Sequence, residues 1–347
     1  MTGYGREKEL SEMKAYKCTI KLKSSLETPL EADIIWGSMI WTLKYLCGKE
    51  EVEKTIKEYS TEPPLIISDG FPSGYLPCPL CHVETETIEN IIESSSSINR
   101  VIKTVKKILD RDLLPEDIFR KIINRERTFT DIIKDSIECN ICPESFKNIK
   151  EEDRLSICDK NNCFYLTGKN QYECNKIKPQ MDYSLKEDEL WDIYIVSRWS
   201  EERLSELLTF TGINGYGRGA SRGKGQFSID RFTELSPQES LHTYKGEENG
   251  FMTLASSYIP LAGEIEDIEK SRYKLLIKVG KLGGHYASME NFFKYPVAMC
   301  RRGSVFPAFP GTKTYWGGLI KGVHQEIEEL VQYGIAFPVW GSFFEKR

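Results

Sequence analysis

The chain has 347 residues, of which 40% are apolar and 29% charged, with a net charge of −5. That length suits about two domains with full hydrophobic cores, and no apolar run approaches the roughly 18 residues a membrane helix needs. The polar start, MTGYGREKELSEMK, shows no export signal, so the expected location is the cytoplasm.

In chain order, residues 16–26 (YKCTIKLKSSL) alternate, with Cys18, Ile20 and Leu22 on one face and Lys17, Lys21 and Lys23 on the other, which predicts a strand. TPLEAD then opens an apolar helix over 34–47 that Gly48 stops, and a short helix follows over 51–59. Residues 65–68 (LIIS) read as a buried strand and 69–74 (DGFPSG) as a turn. Strand, helix, strand at these lengths is the opening of a ferredoxin-like unit. Helices are expected over 97–110, basic through Arg100, Lys103, Lys106 and Lys107, and over 114–124. Residues 140–175 form a polar insert poor in aliphatic side chains.

Seven of the ten cysteines fall within 97 residues: Cys78-x2-Cys81, Cys139-x2-Cys142, Cys158-x4-Cys163 and Cys174. Without an export signal they are not a disulfide framework. A C-x-x-C turn lets both thiolates reach one tetrahedral zinc. Cys139, Cys142, Cys158 and Cys163 make a local quartet, with Cys78 and Cys81 as the alternative pair and His82 as a further ligand. Four protein ligands would make such a zinc structural, pinning an insert too polar to fold alone; no other cofactor is called for. Cys18, Cys47 and Cys300 sit in apolar contexts and read as small buried hydrophobes.

Residues 190–197 (LWDIYIVS) predict a strand and 201–208 a helix, leading into the most informative stretch, FTGINGYGRGASRGKGQFSI at 210–229. Six glycines, at 212, 215, 217, 219, 223 and 225, accompany Arg218, Arg222 and Lys224, with no acid from 208 to 228. Glycines remove the Cβ atoms that hold a ligand off the backbone and let successive amides form an anion-binding nest. Two familiar phosphate loops fail by counting. Five residues before Gly223-Lys224 stands Arg218, where a Walker A loop needs Gly, and neither Gly215-x-Gly217 nor Gly217-x-Gly219 is followed by the third Gly of a dinucleotide loop. The loop is pinned between an apolar helix and the alternating exit of Phe227 and Ile229, as a site would be. Strands are expected at 252–256, 273–279, 298–307 and 334–343. From 270 to 321 there are ten Lys or Arg against one acid, Glu290, which predicts a basic face able to bind RNA.

Five segments occur in an order that resembles one known family: the first strand with EADIIWGSMIWTL, LIISDGFPSGYLPCP, GINGYGRGASRGKGQF, MTLASSYIP, and CRRGSVF before YGIAFPV. The chain resembles the RAMP proteins that form the fourth subunit of the Csm assembly in type III-A CRISPR interference. The resemblance implies an α+β fold of tandem ferredoxin-like (RRM-related) domains with a glycine-rich loop and a polar Cys-rich insert. The first domain would span 1–230, carrying an insert at about 78–185, and the second 231–347. It implies a non-catalytic subunit in antiviral defence that holds the 5′ handle of the CRISPR RNA. It also implies a hairpin thumb toward the adjacent RAMP backbone subunit and docking on the large nuclease and cyclic-oligoadenylate-synthase subunit. Carried over, Gly215, Tyr216, Gly217, Arg218, Gly219, Ser221, Arg222, Gly223, Lys224 and Gly225 would meet the RNA. So would Arg301, Arg302, Gly303 and Ser304, with the turn continuing through Val305 and Phe306. Arg218, Arg222 and Lys224 would pair with phosphates in a sequence-tolerant, salt-sensitive way, and Tyr216, Phe71 and Tyr75 would stack on splayed bases. The Cys-rich insert occupies the region expected to carry the thumb.

The rival is an RNA-cleaving RAMP endoribonuclease, which processes CRISPR RNA or cuts its target. Processing wants a general acid–base pair, and His285, in GKLGGHYAS, is the one histidine in a glycine-rich basic setting. Target cutting uses an aspartate after the first strand, roughly the place of Asp33, which reads instead as a first-turn helix residue. A general single-stranded-RNA or tRNA-handling enzyme is the remaining alternative.

Overall fold

The computed structural model describes residues 13–80, 85–93, 98–109, 112–124, 126–138, 190–241, 251–253, 257–265, 267–307, 315–341 and 343. Its largest sheet has four antiparallel strands: β1 (Lys14–Leu22), β2 (Leu65–Pro72), β5 (Leu190–Ser197) and β6 (Phe227–Glu234), in the spatial order β2-β5-β1-β6. Cys18 and Ile20 of central β1 face Ile193 and Trp191 of β5, and Cys18, Ile20 and Ile193 are fully buried. Helix α1 (Ala32–Cys47) joins β1 to the α2–β2 segment, α2 being Lys49–Glu58. Gly48 ends α1 at φ +88°, a conformation open to glycine at little cost. Helix α7 (Glu201–Asn214) joins β5 to β6, its first turn capped by the Ser200 hydroxyl, which accepts from the Arg203 N–H at 3.4 Å. It runs six residues beyond the expected 201–208 because Thr211 and Gly212 remain buried; Thr211 meets Thr42 of α1 at 3.1 Å.

Between β2 and β5 come β3 (Tyr75–Pro77), α3 (Thr85–Glu93), α4 (Ile98–Leu109), β4 (Leu113–Pro115), α5 (Glu116–Ile123) and α6 (Phe129–Glu138). The helix expected over 114–124 therefore begins two residues late. Leu113–Pro115 instead pairs with β3, and Pro115 precedes the first turn of α5. The strand expected over 16–26 ends at Leu22, where the chain turns to meet Gln226: the amides of Lys23 and Ser24 both donate to its carbonyl, at 2.8 and 3.3 Å.

The last third contains β7 (Phe251–Thr253), β8 (Ser257–Tyr258), β9 (Leu275–Lys278), β10 (Val297–Arg301), β11 (Val305–Phe306), β12 (Leu319–Ile320), β13 (Gln332–Tyr333) and β14 (Pro338–Trp340). They form the sheets β8-β10-β9 and β11-β7-β14 and the pair β12-β13. This region shares a core with the first sheet. Trp36 stacks on Tyr333 at 5.3 Å, the Tyr333 hydroxyl accepts from the Ile67 N–H at 3.2 Å, and Tyr194 packs on Phe337. A satellite core gathers Tyr258, Cys300, Phe306, Trp316 and Ala336. Cys18 and Cys300 are buried as expected, but Cys47 is exposed, because it closes α1 on the side facing water.

A bulge in β2 positions a charged group. Pairing with β5 breaks between Ile67 and Gly70, and Ser68 fills the gap with its hydroxyl, which accepts from the Tyr194 N–H at 2.9 Å. Asp69 is thereby aimed at the start of α1, where its Oδ1 accepts from the Ala32 N–H at 2.8 Å. No described helix is long and apolar enough to cross a membrane.

Candidate nucleic-acid interface

The glycine loop, 215–226, leaves α7 and folds back over the connection between β1 and α1. Tyr216 N–H donates to the Gly225 carbonyl at 2.9 Å, Gly225 N–H to Ser25 O at 2.9 Å, and Arg218 N–H to Thr28 Oγ1 at 2.9 Å. A tight turn inside it has Arg222 N–H and Lys224 N–H on Gly219 O, at 2.8 and 3.1 Å, and Gly223 N–H on Ala220 O at 3.0 Å. At Gly225, φ is +71° and a Cβ would lie 2.1 Å from Tyr216 O, so no other residue fits.

These bonds correct one expectation. The amides of Tyr216, Arg218, Arg222, Gly223, Lys224 and Gly225 are spent closing the loop, so they do not form a nest for phosphate oxygens. The glycines here permit compactness.

Arg218 and Arg222 are each 67% exposed and converge on one carboxylate, that of Glu27. Arg222 Nη2 reaches both its oxygens at 2.9 and 3.0 Å, while Arg218 Nε lies 3.6 Å away. Lys224 Nζ donates to Ser25 Oγ at 2.6 Å. Ser221 and Gly223 are exposed beside them, whereas Gly217 and Gly219 pack on Thr28 and Glu27. Two guanidiniums sharing a carboxylate form a fork with the geometry that also suits phosphate oxygens. Sequence reading missed Glu27; the signal was present, since it is the acid nearest the end of the first strand.

Tyr216 is fully buried and cannot stack on a base. Its hydroxyl donates to Pro29 O at 2.6 Å and accepts from Glu31 N–H at 3.0 Å, bracing the loop against the entry of α1. Phe71 is buried as well, beneath the Arg302 guanidinium at 5.8 Å, because its strand runs through the core. Tyr75 is half-buried.

The second predicted contact segment is a tie between parts of the fold. Arg302 pairs with buried Asp69 at 3.2 Å, and Arg301 with Asp112 at 3.3 Å. Gly303 adopts φ +80° against the Cys78 carbonyl, and its own carbonyl accepts from Leu80 N–H at 2.9 Å. Ser304 is fully buried, with its hydroxyl on Arg301 O. Burial pushes Asp69 up to about 7 despite the opposing pull of Arg302.

Part of the expected basic run turns inward, while Lys270, Lys274, Lys281 and Lys321 stay exposed. Lys278 Nζ meets Asp33 at 2.6 Å and Glu31 at 2.8 Å. Burial alone would lower the Lys278 pKa, but Asp33 and Glu31 more than offset that and raise it. Lys294 donates to Val331 O and Gln332 Oε1, both at 3.0 Å, and burial lowers it to about 8. Lys270 pairs with Asp267 and Arg272 with backbone carbonyls.

The two residues weighed for catalysis are otherwise engaged. Asp33 lies in the first turn of α1 with Lys278 on one oxygen and Gln332 Nε2 on the other at 2.8 Å. His285 is exposed and packs edge-on against Trp41 at 5.3 Å and beside Tyr286. Among the cysteines weighed for zinc, Cys78 is buried with its thiol on Pro79 O. Cys81, Cys139, Cys142, Cys158 and Cys163, like His82, lie outside the described residues, and the described residues contain no metal-binding cluster.

The described molecule is thus an α+β chain built on an antiparallel sheet, with a closed glycine loop presenting a guanidinium pair. No family model matches the chain, and no curated protein sequence matches it. Solved structures do. A chain of the Csm3–Csm4 subcomplex in the type III-A CRISPR-Cas interference complex aligns at TM-score 0.55 and 12% identity, covering 96% of this chain and 100% of that one. A chain of the Csm1–Csm4 cassette in complex with cA3 aligns at TM-score 0.50 and 16% identity over the same shares. At such identities the likeness is one of fold. It runs the full length and meets the same type III-A assembly that the sequence motifs resemble.

Proposed function

We propose that this chain is a non-catalytic, RNA-holding subunit of a type III-A CRISPR interference assembly, of the fourth-Csm-subunit kind. The observation that carries the reading is the exposed Arg218–Glu27–Arg222 fork on a loop locked by its own hydrogen bonds, within a fold alike over its whole length to chains of Csm3–Csm4 and Csm1–Csm4 structures. Arg218, Arg222 and Lys224 would pair with successive phosphates of the CRISPR RNA 5′ handle, and Tyr75 is the stacking candidate that retains exposure. Partners would be the large subunit and the adjacent RAMP backbone subunit. The finer architecture belongs to the same proposal. It has a ferredoxin-like unit in 1–230, supported by the β-α-β succession on either side of the insert, and a second unit in 231–347. A structural zinc in the insert would complete it.

Holding without cutting is favoured over the endoribonuclease reading because both Asp33 oxygens are occupied by Lys278 and Gln332. Two experiments test the proposal. Purified protein incubated with repeat-derived RNA and divalent metal should bind the RNA and leave it intact; cleavage that survives purification to homogeneity refutes the scaffold role. Co-expression with the large subunit should yield a complex carrying a short RNA, and Arg218→Ala/Arg222→Ala should lose the RNA while keeping the protein partner.

A further inference from the structure

β9 (Leu275–Lys278) is the edge of the sheet β8-β10-β9. The register decides which way its backbone faces. Arg301 N–H donates to Lys274 O at 2.8 Å, and β10 sets Met299 opposite Leu276 and Val297 opposite Lys278. Hydrogen-bonded pairs recur at every second residue of an antiparallel ladder. Lys274, Leu276 and Lys278 therefore turn their N–H and C=O groups to β10, while Leu275, Ile277 and, by the same alternation, Val279 turn theirs outward. Among the described residues no strand lies beyond them.

The side chains of those same residues are open. Leu275 is 66% exposed, Ile277 63%, Val279 52% and Tyr273 37%. Alternation puts all four on one face, and Ala298, opposite Ile277, is exposed beside them. The other face is anchored through Lys278 to Glu31 and Asp33. Folded chains blunt free edges with charge, proline or a bulge. Edge strand β6 does so with exposed Asp230, Arg231 and Glu234, whereas the outward row of β9 has no such residue.

We propose that β9 is a strand-addition site for a partner protein. An extended segment would bond to the outward amides and carbonyls and lay aliphatic side chains, at every second position, on Tyr273, Leu275, Ile277 and Val279. Charge complementarity specifies its ends. No acid occurs from 270 to 289, and exposed Lys274 and Lys281 bracket Leu275–Val279, so the incoming strand carries acids at both ends of that stretch. The same charges disfavour a second copy. A twofold through Ile277 would set Lys281 of each strand opposite Tyr273 and beside Lys274 of the other. Single-stranded RNA is disfavoured because Leu275, Ile277 and Val279 are aliphatic, where base stacking wants aromatic rings. This inference goes beyond the RNA reading and does not depend on it.

The test is amide hydrogen exchange on the full chain with a short synthetic peptide that alternates valine with threonine between terminal glutamates. Protection at Leu275, Ile277 and Val279 should rise about tenfold or more on saturation, with Leu276 unaffected. Ile277→Pro, which removes an outward N–H the fold does not use, should abolish that protection, and so should Ile277→Lys, which keeps the backbone and interrupts the apolar row. Absent protection, or protection unchanged in both variants, overturns the proposal. Concentration-dependent dimerisation that protects these amides without peptide replaces the partner with a second copy, and protection by oligouridine replaces it with RNA; either result overturns it too.

Discussion

Exchanging Glu27 for glutamine isolates the chemistry of the loop. Arg218 and Arg222 share the Glu27 carboxylate, which leaves the pair one net positive charge. Each phosphate neutralised on a single strand steepens the dependence of log affinity on log salt by about 0.7. Relative to wild type, Glu27→Gln should then steepen the slope by about 0.7, and Arg222→Ala, whose remaining Arg218 is cancelled by Glu27, should flatten it by about 0.7. Over a fourfold rise in salt each such charge changes the loss of affinity by about 2.6-fold. Glu27→Gln should consequently bind more tightly than wild type at low salt and converge on it at high salt. Fluorescence anisotropy of a labelled single-stranded RNA, titrated at several salt concentrations, reads all three slopes. Parallel lines for the three proteins would show that the fork meets no phosphate, and weaker binding by Glu27→Gln at every salt would show that Glu27 only buttresses the arginines.

The remaining expectations concern the scaffold that holds the loop. Lys278→Met should cost about 3–5 kcal/mol, because it leaves buried Asp33 with Gln332 as its remaining described donor; Lys278→Met/Asp33→Asn should recover much of that in urea denaturation. Asp69 titrates near 7 in the fold against an ordinary 3.8, so the folded chain keeps a proton that the unfolded chain has released. Stability should fall as pH rises from about 4 to about 7, by up to about 4 kcal/mol. Asp69→Asn should flatten that slope, while Lys294, depressed to about 8, acts above the window. Gly225→Ala places a methyl 2.1 Å from Tyr216 O and should lower stability by more than about 2 kcal/mol. Gly223→Ala meets nothing within 4 Å and carries only the positive-φ penalty of about 1 kcal/mol, so thermal melts should separate the pair.

Local pattern made much of the first sheet legible. Alternation in KAYKCTIKL and the apolar run LWDIYIVS marked β1 and β5, and Gly48 marked the end of α1. The glycine loop was legible as a special structure but not in its workings. A run of glycines signals that the backbone comes close to something, and here it comes close to the chain's own residues 24–28 and Tyr216. Helix α6 went unpredicted and α5 was placed two residues early, because pairing of Leu113–Pro115 with β3 is a tertiary choice that local propensity does not encode.

Charge was the most misleading signal, for a definite reason. A basic run counted along the sequence becomes a basic face only if its counter-charges are not supplied by distant parts of the fold. Arg301, Arg302 and Lys278 find theirs at Asp112, Asp69 and Asp33, separations of 189, 233 and 245 residues that the sheet order closes and a linear count cannot see. Glu27 is as distant in sequence from Arg222, yet that pair lies at the surface with the guanidiniums open to water. Solvent access separates Arg222 from Lys278 and Arg302, whose carboxylates are buried, while the Arg301–Asp112 pair lies nearer the surface. A phosphate arriving at Arg302 must displace a carboxylate buried in the core, whereas one arriving at Arg222 meets a guanidinium already open to water. Lys278, Arg301 and Arg302 thus fasten the last third of the chain to the first, and the proposed RNA contact rests on the loop arginines.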